Sequence, residues 1–302
     1  MYEQFYGLQE NPFSMTPDIE YFYRYSGHQE ALNVLLIALR NGEGFVSLTG
    51  EVGTGKTLLC RQLLQLLQQD FATVYIPYPQ LTPIELYQAI AADLQIEFAQ
   101  NATVQQLYQK VFKELIRLKQ IKRPLIVLID EAQAMPFRSL EAVRLLSNLE
   151  TDKEKLLHIV FFGQPEFDER LAQPNLRQLR QRITFSYSLQ TLDSKEVPAY
   201  LNHRLRVAGF QGQGLFADAA AKLIHRASKG VPRVINLLAH KALLSGYGKG
   251  VKQINRNQVV AAIKDTDGVT LPRPRGIPPY LIESGLIIVA AALTLIAWEV
   301  FR

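Results

Sequence analysis

The chain has 302 residues, 48% of them hydrophobic and 20% charged, proportions that suit a folded globular protein and exclude a disordered one. Its 33 Lys and Arg against 28 Asp and Glu give a formal charge of +5, a mild excess that permits an anionic partner and requires none. A lone cysteine, Cys60, leaves no internal disulfide and suits a reducing compartment, and no Cys or His spacing matches a structural zinc site.

Met1 to Phe5 has neither a basic n-region nor an apolar h-region, so no secretory signal is expected. Phe45 to Thr49 is an apolar run ending at a glycine, which predicts a buried strand feeding a loop. Leu58, Leu59, Leu63, Leu66 and Leu67 then recur at helical spacing. Thr73 to Ile76 reads as a second strand. Thr82-Pro83 opens a helix with a capping residue followed by proline, and Val104, Leu107, Val111, Leu115 and Leu118 mark another, amphipathic one. Leu125 to Ile129 is continuously apolar, as a central parallel strand covered on both faces should be. His158 to Phe162 and Ile183 to Tyr187 complete five strands. Their alternation with helices predicts a doubly wound α/β core with a five-stranded parallel sheet. From Leu192 the pattern is helical only: one helix after Ser194, then Ala217 to Ser228, Val231 to Ser245, and a fourth capped by Asn255. Gly209, Gly230 and the Gly246-Tyr247-Gly248 cluster punctuate them.

The loop Gly50-Glu51-Val52-Gly53-Thr54-Gly55-Lys56-Thr57 matches G-x-x-x-x-G-K-[ST] at every fixed position. Glycines let successive backbone N–H groups turn toward a polyphosphate, and the N-terminus of the following helix adds a favourable dipole. In this pattern Lys56 neutralises the β- and γ-phosphates and the Thr57 hydroxyl ligates Mg²⁺. Asp130-Glu131 follows the most apolar strand, at the strand end where open α/β sheets bind ligands. There Asp130 would hold the Mg²⁺ shell, and Glu131 would orient and polarise the attacking water of ATP hydrolysis. The expected nucleotide contacts are the loop itself, Leu58 after it, Asp130, and His28 near the adenine.

Three further polar positions complete the set. Gln164, in Gly163-Gln164-Pro165 at the end of the fourth strand, is placed to touch the γ-phosphate or the water. Arg177, Arg180 and Arg182 lie just before the fifth strand, and an arginine there can reach a neighbouring subunit's γ-phosphate. Arg182, abutting the strand, is the preferred finger. Arg233, in Gly230-Val231-Pro232-Arg233, would reach back from the helical part to the phosphates.

Together these residues resemble the AAA+ ATPases of the ExeA/GspA type, and within them the shorter MshM-type branch of mannose-sensitive haemagglutinin (MSHA) pilus biogenesis. The resemblance runs from Phe5 to about Asp265. It includes Asn11-Pro12-Phe13, Thr16-Pro17-Asp18, Asp130-Glu131-Ala132-Gln133, Leu145-Leu146-Ser147-Asn148-Leu149-Glu150, Gly163-Gln164-Pro165-Glu166, Leu179-Arg180-Gln181-Arg182 and Asn236-Leu237-Leu238-Ala239-His240. It implies an AAA+ core over residues 1–190 and a helical lid over 191–266. It further implies catalytic roles for Glu131, Gln164, Arg182 and Arg233, a homo-oligomer, and work in assembling a type IV pilus or type II secretion apparatus. The longer ExeA/GspA proteins continue into a periplasmic peptidoglycan-binding domain; with no such extension here, direct wall binding by this polypeptide is not expected.

A Pro-rich linker over 267–280 precedes a run from Tyr280 to Phe301 that is nearly all apolar. That run reaches roughly the 20 residues a helix needs to span a bilayer. A transmembrane helix at 281–301 is therefore expected, anchoring the ATPase to the bacterial inner membrane. Arg273 and Arg275 would hold the linker side in the cytoplasm. The competing reading is a nucleic-acid-binding AAA+ regulator of the transposition or replication-initiator kind. No winged helix, aromatic-basic stretch or lysine-rich arm follows the lid to support it, so nucleic acid is not the expected partner.

Overall fold

Three of the apolar runs form the middle of one sheet. The computed structural model describes residues 1–16, 18–146 and 155–271. Within them, α1 (Glu3–Tyr6) and α2 (Ser26–Arg40) lead to β1 (Phe45–Thr49), α3 (Lys56–Leu67) and β2 (Ala72–Ile76). Then come α4 (Pro83–Asp93), α5 (Val104–Gln120), β3 (Leu125–Ile129), α6 (Phe137–Leu146) and β4 (Leu157–Gly163). The α/β part closes with α7 (Pro165–Leu171), α8 (Arg177–Arg182) and β5 (Ile183–Ser188). The strands lie in the order β2-β3-β4-β1-β5, all parallel. Every residue of β1, β3 and β4 is buried, because helices cover both faces. At the edges, β2 and β5 are only partly covered.

One face of the sheet packs Leu32, Leu35 and Leu39 of α2 with Leu59, Leu63 and Leu67 of α3. The other packs Leu86 and Ile90 of α4, Leu107, Val111 and Leu115 of α5, and Leu140 and Val143 of α6. Each such leucine contributes roughly 1.5–3 kcal/mol of burial free energy. Thr82 caps α4 in a reciprocal capping box with Glu85, and Thr103 caps α5 with Gln106 in the same way.

Four helices follow the sheet: α9 (Glu196–Val207), α10 (Asp218–Ser228), α11 (Pro232–Gly248) and α12 (Arg256–Lys264). They enclose their own core, built on Leu201, Ile224, Leu238 and Val259. The opening residues of the chain pack here rather than on the sheet. Tyr2, Tyr6, Leu8, Phe13 and Tyr21 are all buried among these helices. Tyr6 Oη donates to Val251 O at 3.0 Å, and Tyr2 Oη lies 2.8 Å from His240 Nδ1.

One sequence expectation changes, and another falls outside the described residues. The Gly246-Tyr247-Gly248 cluster does not end a helix near Ser245, since α11 runs through to Gly248. Gly246 is there for space: a Cβ on it would stand 2.4 Å from Tyr6 Oη and 2.6 Å from Ile254 Cδ1. The spanning helix expected at 281–301, and the linker from residue 272 on, lie outside the described residues. Among the described residues no helix is long and apolar enough to cross a membrane.

Candidate active site

Strand order alone brings the chemical residues together. The middle of the sheet runs β3-β4-β1, and these strands are parallel. Their C-terminal ends therefore carry, side by side, Asp130-Glu131 after β3, Gln164 after β4 and the glycine loop after β1.

The loop is closed by its own backbone and by Lys56. Gly53 and Gly55 hold φ of +82° and +95°, in the left-handed region where a side chain is strained. Thr54 Oγ1 donates to Glu51 O at 2.8 Å. Lys56 is buried, and its Nζ donates to Gly50 O at 2.7 Å and Glu51 O at 2.9 Å, so the ammonium sits in the concavity of the loop. Burial pushes the Lys56 pKa down, against the pull of the Glu131 and Asp130 carboxylates. Behind the loop, His28 Nε2 lies 3.0 Å from Thr54 O, and its ring is within 3.1 Å of a Cβ built at Gly55. His28 is therefore a buried wedge under the loop, stacked on Phe22.

Asp130 accepts three donors: Thr57 Oγ1 at 2.8 Å, Tyr75 Oη at 3.4 Å and Glu131 N at 2.9 Å. Burial raises its pKa, while the Thr57 hydroxyl and the Glu131 N–H oppose that rise. Two hard oxygens, Thr57 Oγ1 and Asp130 Oδ2, thus stand together at the start of α3, the donor type that Mg²⁺ takes.

Glu131 stands apart from its neighbours in backbone as well as chemistry. Its φ of +51° and ψ of +40° are left-handed, a conformation whose cost of order 1–3 kcal/mol is typically held at functional sites. Its Oε2 receives Gln133 Nε2 at 2.5 Å and Gln164 Nε2 at 3.0 Å. Gln164 thus meets the carboxylate expected to orient water.

The helical part touches the loop directly. Arg233 N donates to Gly53 O at 3.2 Å, which seats the first turn of α11 on the glycine loop. A cavity of about 220 Å³ opens between them, lined by Met15, Thr16, Leu58, Tyr200, Arg233 and Asn236 among others. Val52 and Glu51 are exposed at the tip of the loop.

Arg182 is not part of this cluster. Ile183 pairs with Phe45 in a parallel register, so Arg182 lies at the opposite end of β1 from the loop. Five strand residues separate the two levels, about 15 Å along the sheet. Arg177 and Arg180 are exposed beside it.

Sequence reading gave no role at the site to Gln133, Tyr75 or the Met15–Thr16 wall. Gln133 carried a local signal, a polar side chain two residues past Glu131. Tyr75 and Met15 reach the site only through strand pairing and chain crossing, which spacing does not encode.

Comparison with known proteins agrees with this geometry. The family described as "AAA domain" matches residues 39–171. General secretion pathway protein A of Aeromonas hydrophila is 40% identical over 306 residues, covering 100% of this chain and 54% of the relative. The chain thus spans about half the length of that curated relative. Among solved structures, Cdc6p from Pyrobaculum aerophilum superposes with a TM-score of 0.65 at 18% identity, over 88% of this chain and 74% of that one. The ORC1 protein of Aeropyrum pernix, solved in complex with DNA, gives 0.58 at 19%, over 85% and 69%. At such identities these structures speak for the fold alone. The glycine loop, the Asp130-Glu131 pair and the matching domain converge: this chain is an AAA ATPase related along its whole length to General secretion pathway protein A.

Proposed function

We propose that this ATPase drives or regulates assembly of a type II secretion or MSHA-like type IV pilus apparatus from the inner membrane. The observation that carries this reading is the 40% identity to General secretion pathway protein A along the entire chain. Thr57 and Asp130 would hold Mg²⁺, which supplies charge neutralisation at the β- and γ-phosphates when bound. Lys56 releases its two loop carbonyls to meet the incoming phosphate charge, and Glu131 orients a water and accepts its proton. Gln164 keeps that carboxylate in place. Arg233 follows the phosphates from the lid side, and Arg182 acts across to a neighbouring copy in a homo-oligomer. The apolar run at 281–301 is proposed as the anchor, with the ATPase on the cytoplasmic side.

The test replaces the gene with a Glu131→Gln version and with one ending near Thr270. Loss of assembled apparatus with Glu131→Gln, and release of the shortened chain from the membrane fraction, are expected. Normal assembly with Glu131→Gln removes the proposed role, and equal partitioning of both chains removes the anchor. Two of the structures sharing the fold were solved on DNA, so a salt-dependent shift assay on the core is the control. A slope corresponding to several phosphate contacts would favour the regulator reading instead.

A further inference from the structure

Gln133 lies on the short 3-10 turn Ala132–Ala134 that follows Glu131. Its Oε1 accepts from Gln164 N at 3.0 Å, and its Nε2 donates to Glu131 Oε2 at 2.5 Å. The orientation of this amide is fixed by chemistry. A main-chain N–H can only donate, so the atom facing Gln164 N is the oxygen, and the amino group must face the carboxylate. The turn is itself pinned from α7: Arg170 Nη1 donates to Gln133 O, and Nη2 to Met135 O at 2.8 Å. One side chain thus bridges the ends of β3 and β4, and a guanidinium holds its backbone still.

From this geometry we infer that Gln133 is a positioning residue for hydrolysis, locking the Glu131 carboxylate in its water-orienting pose through an amide bridge to Gln164 N. The inference rests on the reading of Glu131 as the group that activates water. Glu131 needs such a lock because its left-handed backbone leaves the carboxylate on a strained turn. Both amide donors, from Gln133 and Gln164, converge on Oε2. Rotation about the last side-chain bond would lose two charge-assisted hydrogen bonds at once. Burial of Phe167 and Leu171 fixes α7 against the sheet, so Arg170 is a rigid support.

Two variants separate positioning from structure. Gln133→Met keeps the length and removes both hydrogen bonds. Gln133→Glu keeps the acceptor for Gln164 N, and so the anchor of the turn, but replaces the donor with a second carboxylate facing Glu131. In both, ATP affinity should stay within about threefold, while kcat falls roughly ten- to hundredfold, the scale of a misplaced catalytic group. A local folding defect lowers the fraction that binds ATP along with turnover, whereas a lost lock lowers kcat alone. Parental kcat in Gln133→Met or Gln133→Glu overturns the inference, as does a loss of ATP affinity as large as the loss of kcat. Glu131→Gln is run beside them. If it turns over ATP at the parental rate, the assignment of Glu131 is wrong; an inactive Glu131→Gln beside a fully active Gln133→Glu overturns only the bridge.

Discussion

Replacing Gly53 by alanine should separate the lid from the glycine loop without unfolding either. The added Cβ would stand 2.4 Å from Arg233 Cβ, far inside van der Waals contact, and the φ of +82° is unfavourable for alanine. The left-handed backbone alone costs about 1–2 kcal/mol. The overlap falls on the base of the Arg233 side chain, next to its backbone, so the first turn of α11 must retreat and the Arg233 N–H to Gly53 O bond is lost. That bond is worth about 0.5–1.5 kcal/mol net. Together the closed arrangement should weaken by about 1.5–3.5 kcal/mol, roughly 10- to 400-fold in ATP affinity, if closure of the lid on the loop is part of binding. The lid keeps its own core around Leu201, Leu238 and the N-terminal tyrosines, so the thermal midpoint should move little. Titration of a fluorescent ATP analogue, with a melting curve at each step, reads both quantities. Val52→Ala, at an exposed position of the same loop, is the control. Parental affinity in Gly53→Ala would refute the claim that Arg233 works from contact with the loop.

His28 supplies a pH dependence. Burial pushes its pKa down from 6.5 to about 4, so the unfolded chain takes up the proton first. The contribution is intact above about pH 6.5 and is lost as pH falls from there toward 4. About 2 kcal/mol should disappear between pH 7 and 5. Urea unfolding of the parent should lose that much more than His28→Gln, and equal slopes would contradict it. Arg182→Ala should bind ATP near normally and hydrolyse it about 10³-fold more slowly, the scale of an arginine finger acting in trans. Mixing it with Lys56→Ala should restore some turnover, since each copy supplies what the other lacks. Full activity of Arg182→Ala alone would move the role to Arg180.

What was legible in the sequence was local. Leu125 to Ile129 reads as a central strand because five consecutive apolar residues leave no solvent face. The glycine loop reads because its backbone demands are met by residues adjacent in the chain. Distance along the chain hid the rest. Tyr2, Tyr6 and Phe13 follow no helical or strand period, and their partners in α11 and around Phe216 lie some two hundred residues away. Gly246 read as a breaker because spacing cannot show that Tyr6 needs its missing side chain. The place of His28 under Thr54 was hidden because it depends on how α2 crosses the loop. The amide bridge at Glu131 joins two strand ends, and only the β3-β4 pairing reveals it.

The central claim is that the loop at Lys56 and the carboxylate at Glu131 form one hydrolytic site. Binding and turnover measured side by side on Glu131→Gln test it most directly. ATP should bind within a few-fold of the parent, because Lys56 and Thr57 are untouched, and steady-state phosphate release should fall to background. Phosphate release by Glu131→Gln at the parental rate would contradict it.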